Sequence, residues 1–196
     1  MKSLFSILAG AIIVGVNAMP VPNGPDVPSG LPDGYTVVPF SMNGAMEPGG
    51  ENLTFTGTVV DITRQIQSIK PDFDWNDFQP TRQLTREPQD ILCNIPNIPI
   101  ARRFNALMGY DYLKRISQPC EVDGGPRKCA LLYCEDGSAI WLCNDNETRA
   151  SQSCAYIADY VLEIIGDLDC ASTNDLNVAH FLYTQGQVVS SKKSTG

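Results

Sequence analysis

The residues best equipped for chemistry in this chain are its seven cysteines: Cys93, Cys120, Cys129, Cys134, Cys143, Cys154 and Cys170. Thiols can form disulfides, hold a soft metal or act as nucleophiles, and their setting separates these uses. A structural zinc site takes closely spaced Cys/His pairs. This chain has no Cys-x-x-Cys pair and one histidine, His180. A cysteine nucleophile needs a histidine partner and a reduced thiol. Clustering between positions 93 and 170 points instead to a disulfide framework stapling one domain. Seven is an odd number, so one thiol stays unbridged, is buried as a small apolar side chain, or pairs between chains. No metal and no cofactor are expected.

Other catalytic chemistry is thinly supplied. A Ser-His-Asp arrangement would have to use His180, which sits in the apolar run Val178-Ala179-His180-Phe181-Leu182 without a Gly-x-Ser-x-Gly elbow. Asp72, Asp74 and Asp77 are close enough in sequence to suggest paired-carboxylate chemistry on a glycan. Acids are plentiful here, however, with 22 Asp and Glu against 14 Lys and Arg and a net charge of −8. Gly124-Gly125 is turn punctuation rather than a phosphate cradle. No catalytic residue is assigned. The acidity repels phosphate backbones, and no polybasic patch serves anionic lipid, so nucleic acid is not an expected partner.

The first residues carry an export signal. Lys2 precedes the apolar run from Leu4 to Val16, which is short for a bilayer span. Val16-Asn17-Ala18 places small residues at a cleavage site, so cleavage is expected after Ala18, leaving Met19 as the new N-terminus. No later stretch is apolar enough to span a membrane once the signal is removed. Asn52-Leu53-Thr54 and Asn146-Glu147-Thr148 match the N-glycosylation acceptor, making Asn52 and Asn146 candidate sites. The dibasic pairs Arg102-Arg103, Lys114-Arg115 and Lys192-Lys193 suit processing in a secretory chain. The first two fall on an expected helix, whose exposed polar face they also suit.

These groups must be held by an ordered frame. Residues 19–34 are rich in Pro and Gly and read as a linker or pro-segment. Residues 35–90 give a ββα segment and a loop. Tyr35–Ser41 forms a strand that Pro39 pushes to an edge, and Leu53–Thr56 alternates as a half-buried strand. Val59, Ile62, Ile66 and Ile69 are spaced as a helix that Pro71 closes. The aromatics Phe73, Trp75 and Phe78 then anchor a solvated acidic loop.

Residues 91–190 hold the cysteines, and 191–196 form a polar tail. Ile91–Cys93 is a strand. A helix follows, with Ile100, Phe104, Leu107, Met108 and Tyr112 on one face. Cys129–Cys134 and Ala139–Cys143 are strands joined at Asp136-Gly137, a strong hairpin cue. The stripe Cys154, Ile157, Ala158, Val161, Ile164, Ile165 and Leu168 makes a second helix, which Ser151 or Ser153 could cap. A last strand lies at Phe181–Tyr183 or Gln187–Val189. The fold class is therefore α+β: a disulfide-stapled, ferredoxin-like βαββαβ domain, its first and third strands adjacent, preceded by the ββα segment. With the loop centred on Asp136-Gly137, Cys143 faces Ala130 and shares a sheet face with Cys134, while Cys129 points the other way. That register disfavours a Cys129–Cys143 bridge, and a slip of one residue reverses it. Connectivity is left open.

The hairpin-and-helix block resembles a recurrent block in small secreted cysteine-rich proteins of filamentous fungi, a family of candidate effectors. The block runs Cys129-Ala130-Leu131-Leu132-Tyr133-Cys134, Ala139-Ile140-Trp141-Leu142-Cys143-Asn144-Asp145-Asn146, Ile157-Ala158-Asp159-Tyr160, Ile164 and Cys170. Phe55-Thr56-Gly57-Thr58-Val59, Ile62, Gln65-Ile66 and Ile69-Lys70-Pro71 are similar to the N-terminal half of those proteins. The cysteine hairpin and α/β order also resemble killer-toxin-like folds. Cys120 and Cys154 look like additions to the block. The resemblance implies no catalytic residues. It implies a secreted, non-enzymatic interaction protein acting on an extracellular protein or glycan. A secreted hydrolase using acidic residues and a cell-wall structural protein are the alternatives.

Overall fold

The computed structural model describes residues 31, 34–45, 50–75, 89–96, 98, 100–116, 118–172, 183–184 and 186–190. The strands of the N-terminal part are β1 (Thr36–Val38), β2 (Ser41–Ala45) and β3 (Asn52–Thr56), followed by helix α1 (Val59–Ile69). Strands β4 (Gln89–Cys93) and β5 (Ala101–Arg102) lead into α2 (Arg103–Leu113). Then come β6 (Pro119–Val122), β7 (Lys128–Glu135), β8 (Ser138–Asn144) and β9 (Ala150–Ser153), which runs into α3 (Cys154–Gly166). Strands β10 (Ala171–Ser172), β11 (Tyr183–Thr184) and β12 (Gly186–Ser190) complete the described elements.

The expected strand at Tyr35–Ser41 is split. Proline has no amide hydrogen to give a ladder, and the chain changes sheets at Pro39. Before it, β1 lies parallel to β7 on the edge of a sheet ordered β1-β7-β8. After it, β2 joins a sheet ordered β3-β2-β6-β9. The remaining pairings are β12 with β4, and β10-β11-β5. The expected hairpin pairing of β7 with β8 is present. The β4–β8 pairing that would place the first and third strands together is absent from the sheet pairings of the described residues. The mixed α+β class holds.

One core joins the two parts. Phe40, Met42, Phe55, Ile62, Ile66, Phe73 and Trp75 pack in the same cluster as Leu113, Val122, Leu132, Tyr133, Ile157 and Ile165. Helix α1 begins where the sequence spacing places it. Thr58 accepts from the Asp61 amide, and the Asp61 carboxylate accepts from the Thr58 amide, closing a capping box. Val59 and Ile62 are fully buried, but Ile69 at the helix end is 59% exposed, so the core face stops at Ile66.

Helix α2 is rotated from the face its large residues suggest. Phe104 is 71% exposed and Ile100 is exposed, whereas Asn105, Ala106, Gly109 and Leu113 are buried. The cause is close approach to the hairpin. A Cβ on Gly109 would lie 2.4 Å from Ile140 Cδ1 and 2.8 Å from Tyr133 Cδ1, so only glycine fits there. Helix α3 buries the expected Cys154, Ile157, Ala158, Val161 and Ile165, with Tyr156 in addition, and leaves Ile164 half-buried. Leu168 lies past the helix end and is 71% exposed. Ser153 occupies the N-cap position without a side-chain cap hydrogen bond, and Ser151 Oγ donates to Glu121 instead.

Candidate functional site

The cysteines build three bridges. Cys93 on β4 joins Cys170 just before β10, with Cα atoms 4.6 Å apart. Cys120 on β6 joins Cys154, the first residue of α3, at 5.0 Å. Cys129 on β7 joins Cys143 on β8 at 4.0 Å. Together they tie the hairpin to itself, a short strand to the α3 start, and the turn after α3 to β4. Each disulfide stabilises a fold by roughly 2–4 kcal/mol.

The third bridge overturns the register expected from the turn. Asp136 (φ 46°) and Gly137 (φ 75°) make the two-residue hairpin turn, and Cys134 faces Ala139 as that turn requires. A β-bulge then intervenes between Leu131 and Tyr133, so Leu131 faces Trp141 and Cys129 faces Cys143. The bulge has a packing reason. Strict alternation sends neighbouring side chains to opposite faces, yet Ala130, Leu132 and Tyr133 are all in the core. The extra residue lets Leu132 and Tyr133 both turn inward. Nothing in the local sequence marks it except a run of large apolar residues.

Cys134 is the one free cysteine, half-buried on β7. Burial first, and the Glu135 carboxylate second, push its thiol pKa up. A raised pKa keeps it a thiol near neutrality and makes it a poor nucleophile. Tyr133, beside it, is 1% exposed and donates its hydroxyl to Glu135 Oε2 at 2.7 Å. Burial and that carboxylate raise its phenol pKa well above the ordinary value. Cys93, Cys170 and Asp167 have ligand atoms within 4.8 Å of one another. The disulfide consumes both sulfurs, leaving a single carboxylate, which does not make a metal site.

Asp72 and Asp74 are exposed in the turn after α1, and Asp77 lies outside the described residues, as do Phe78 and His180. The neighbouring aromatics anchor the turn. Phe73 and Trp75 are each 6% exposed and stack edge-on at 4.8 Å, and Trp75 Nε1 donates to Thr63 Oγ1 at 3.0 Å. The cleft beside them is lined by Met42, Phe55, Ile66 and Gln118. Among the described residues its lining, which also includes Asn43 and Gly44, holds no carboxylate.

Both sequon asparagines are exposed. Asn52 opens β3, and Asn146 lies in the loop after β8. That loop is organised by Asn144, a residue sequence reading passed over. Asn144 is 1% exposed and satisfies its whole amide. Its Nδ2 donates to the carbonyls of Asp123 (3.0 Å) and Thr148 (2.8 Å). Its Oδ1 accepts from the Asn146 backbone amide (3.0 Å) and from Asn146 Nδ2 (3.2 Å). Gly124 fits this junction because a Cβ there would meet the Glu147 carbonyl at 2.3 Å. The available signal was Asn144 and Asn146 two apart after a strand, the pattern of a side chain bonding its own backbone two residues on.

Two of the three dibasic pairs sit at the ends of α2. Arg102 is the N-cap residue and forms an ion pair with Asp136, while its backbone amide donates to the buried hydroxyl of Ser138 at 3.0 Å. The hairpin thus satisfies the amide of the N-cap residue itself, while no side-chain cap hydrogen bond is made to the first turn of α2. Lys114 pairs with Asp111 at 2.5 Å and lies over the Tyr110 ring. Arg115 is exposed, but the next residue, Ile116, is fully buried. Lys192-Lys193 and Ala18 lie outside the described residues.

None of the described helices is long and apolar enough to cross a membrane. Comparison with protein-family models, curated proteins and solved structures finds no match to this chain.

Proposed function

We propose that this chain is a secreted, non-enzymatic interaction protein, an effector or toxin-like module that acts on an extracellular protein or glycan. The observation carrying this reading is the set of three disulfides that pins β4 to the turn after α3, the β7–β8 hairpin to itself and β6 to the start of α3. Such bridges persist in oxidising compartments and hold small exported folds rigid. The apolar run before Ala18 and the exposed sequons at Asn52 and Asn146 agree with passage through a secretory pathway. The resemblance to small secreted cysteine-rich fungal proteins supplies the effector class. For the fold, a ferredoxin-like arrangement of residues 91–190 is supported by two of the pairings this topology requires, β12 with β4 and β7 with β8, although the central β4–β8 pairing is not among those of the described residues.

The test compares native protein with protein reduced and alkylated under native buffer. Each is applied to intact cells of a challenged host or competitor, with surface binding as the readout. Saturable binding by the native form, lost after reduction, is the expected result. Full binding by the reduced form would refute a stapled interaction module. Turnover of a glycan or peptide panel that disappears in D72N or D74N protein would replace this reading with the hydrolase.

A further inference from the structure

We propose that Asn52 carries an N-linked oligosaccharide whose role is to mask an open sheet edge. The inference rests on the secretory reading above. Strand β3 is the terminal strand of the sheet β3-β2-β6-β9, and among the described residues no strand pairs with its outer side. An unpaired edge is a template for another chain, and folds blunt it with charge, proline or a covering element. Strand β3, Asn52-Leu53-Thr54-Phe55-Thr56, has no charged residue and no proline, and three of its residues, Thr54, Phe55 and Thr56, favour strands.

The ladder shows which groups are open. Asn52 faces Ala45, Thr54 faces Asn43 and Thr56 faces Ser41. The Gly57 amide donates to the Phe40 carbonyl, so the bonded positions towards β2 are Gly57, Phe55 and Leu53. The main-chain groups of Asn52, Thr54 and Thr56 therefore point outward. Gln65 Nε2 of α1 covers the Thr56 carbonyl at 2.7 Å. Asn52 and Thr54 are left, and they are the two defining residues of the sequon. Their side chains lie on the solvent face, since Phe55 is buried and Leu53 half-buried on the other. Thr54 Oγ1 is also held by Asn43 Oδ1 at 2.6 Å.

The modification needs a lipid-linked oligosaccharide pyrophosphate as co-reactant. Asn52 Nδ2 attacks its anomeric carbon. The C1–O bond breaks, the C1–N bond forms, Nδ2 loses one proton to solvent, and the lipid pyrophosphate leaves. The remaining amide N–H survives, and the glycan stands beside the open β3 edge.

The experiment uses the full chain expressed in a eukaryotic secretory host, with glycopeptide mass spectrometry and light scattering. Asn52 is expected to be occupied in wild type and in T54S, and bare in T54A. The N52Q protein, or wild type freed of glycan by an endoglycosidase, should self-associate, its apparent mass rising about twofold or more where wild type is monomeric. N52K, which places a charge on the edge without a sugar, should restore the monomer. A secreted protein with Asn146 occupied and Asn52 bare would overturn this inference alone. Occupied Asn52 with monomeric N52Q would overturn the masking role. A chain that is retained in the cell and bare at both sites would overturn the secretory reading together with it.

Discussion

Cys129 stands opposite Cys143 across the β7–β8 ladder with Cα atoms 4.0 Å apart, where the Asp136-Gly137 turn alone would have put Ala130. Leu132 makes the difference. Inserted as a bulge, it shifts the ladder by one residue beyond Tyr133 and turns Cys129 onto the face of Cys143. Core packing and cross-linking are therefore coupled in this hairpin: the same insertion that buries both Leu132 and Tyr133 brings the two sulfurs together.

The bridges should differ in their contribution to stability. Cys93–Cys170 spans 77 residues of chain and Cys129–Cys143 spans 14. On chain-entropy grounds the longer loop, shortened by the Cys120–Cys154 bridge nested inside it, stabilises by roughly 1 kcal/mol more. C93A/C170A is expected to lower the guanidinium midpoint further than C129A/C143A. Equal midpoints would show that strain or residual unfolded structure, rather than loop closure, sets the cost.

Gly109 should resist even alanine. In an open helix, Gly→Ala stabilises by about 1 kcal/mol. Here the new methyl would overlap Ile140 Cδ1 and the Tyr133 ring, and overpacking of this kind costs about 1–3 kcal/mol. G109A is expected to be destabilised overall. I140V removes the clashing Cδ1, so G109A/I140V should recover part of the loss in a double-mutant cycle. Strict additivity would mean that α2 does not approach the hairpin this closely.

Much of the frame was legible because periodicity and turn chemistry are local. Val59, Ile62 and Ile66 mark α1, Asp136-Gly137 marks the hairpin, and the apolar stripe marks α3. What escaped was set by tertiary contact. The buried face of α2 is chosen by the absence of a side chain at Gly109, which a hydrophobic pattern cannot register, so Phe104 was misplaced into the core. Strands β6 and β9, Pro-Cys-Glu-Val and Ala-Ser-Gln-Ser, are too short and polar to announce themselves. The cysteines were legible as a framework, but their pairing depended on the Leu132 bulge.

Removing the Asn144 side chain should loosen the loops on both sides of it. N144A leaves the Asp123 and Thr148 carbonyls without their donor at a part-buried junction, and each group left unsatisfied there costs about 1–3 kcal/mol. A drop of about 2–3 kcal/mol in urea unfolding is expected. Faster amide exchange at Gly125 and Asn146 should accompany it, since the Gly125 amide donates to the Asn146 carbonyl. Unchanged exchange at those amides would deny Asn144 its organising role.

Alkaline pH should destabilise the fold in two stages. Cys134, Tyr133 and Tyr35 all have pKa values raised by burial, with the charges of Glu135 or Asp145 adding to the effect. An acid whose folded pKa exceeds its unfolded value holds its proton longer when folded. Its contribution is full below the unfolded pKa and is lost as pH rises towards the folded one. The first loss begins near pH 9, the ordinary value for the thiol, and the second near pH 10, that for the phenols. Urea midpoints measured from pH 8 upward should therefore fall. C134S should flatten the first stage and Y133F the second, although Tyr35, bonded to Asp145 at 3.0 Å, leaves a residual slope in Y133F. Retention of the first stage in C134S would assign it to another group. The same variant removes the only thiol that could attack the bridges at high pH, so the measurement is repeated in both directions of the titration to separate reversible ionisation from disulfide exchange.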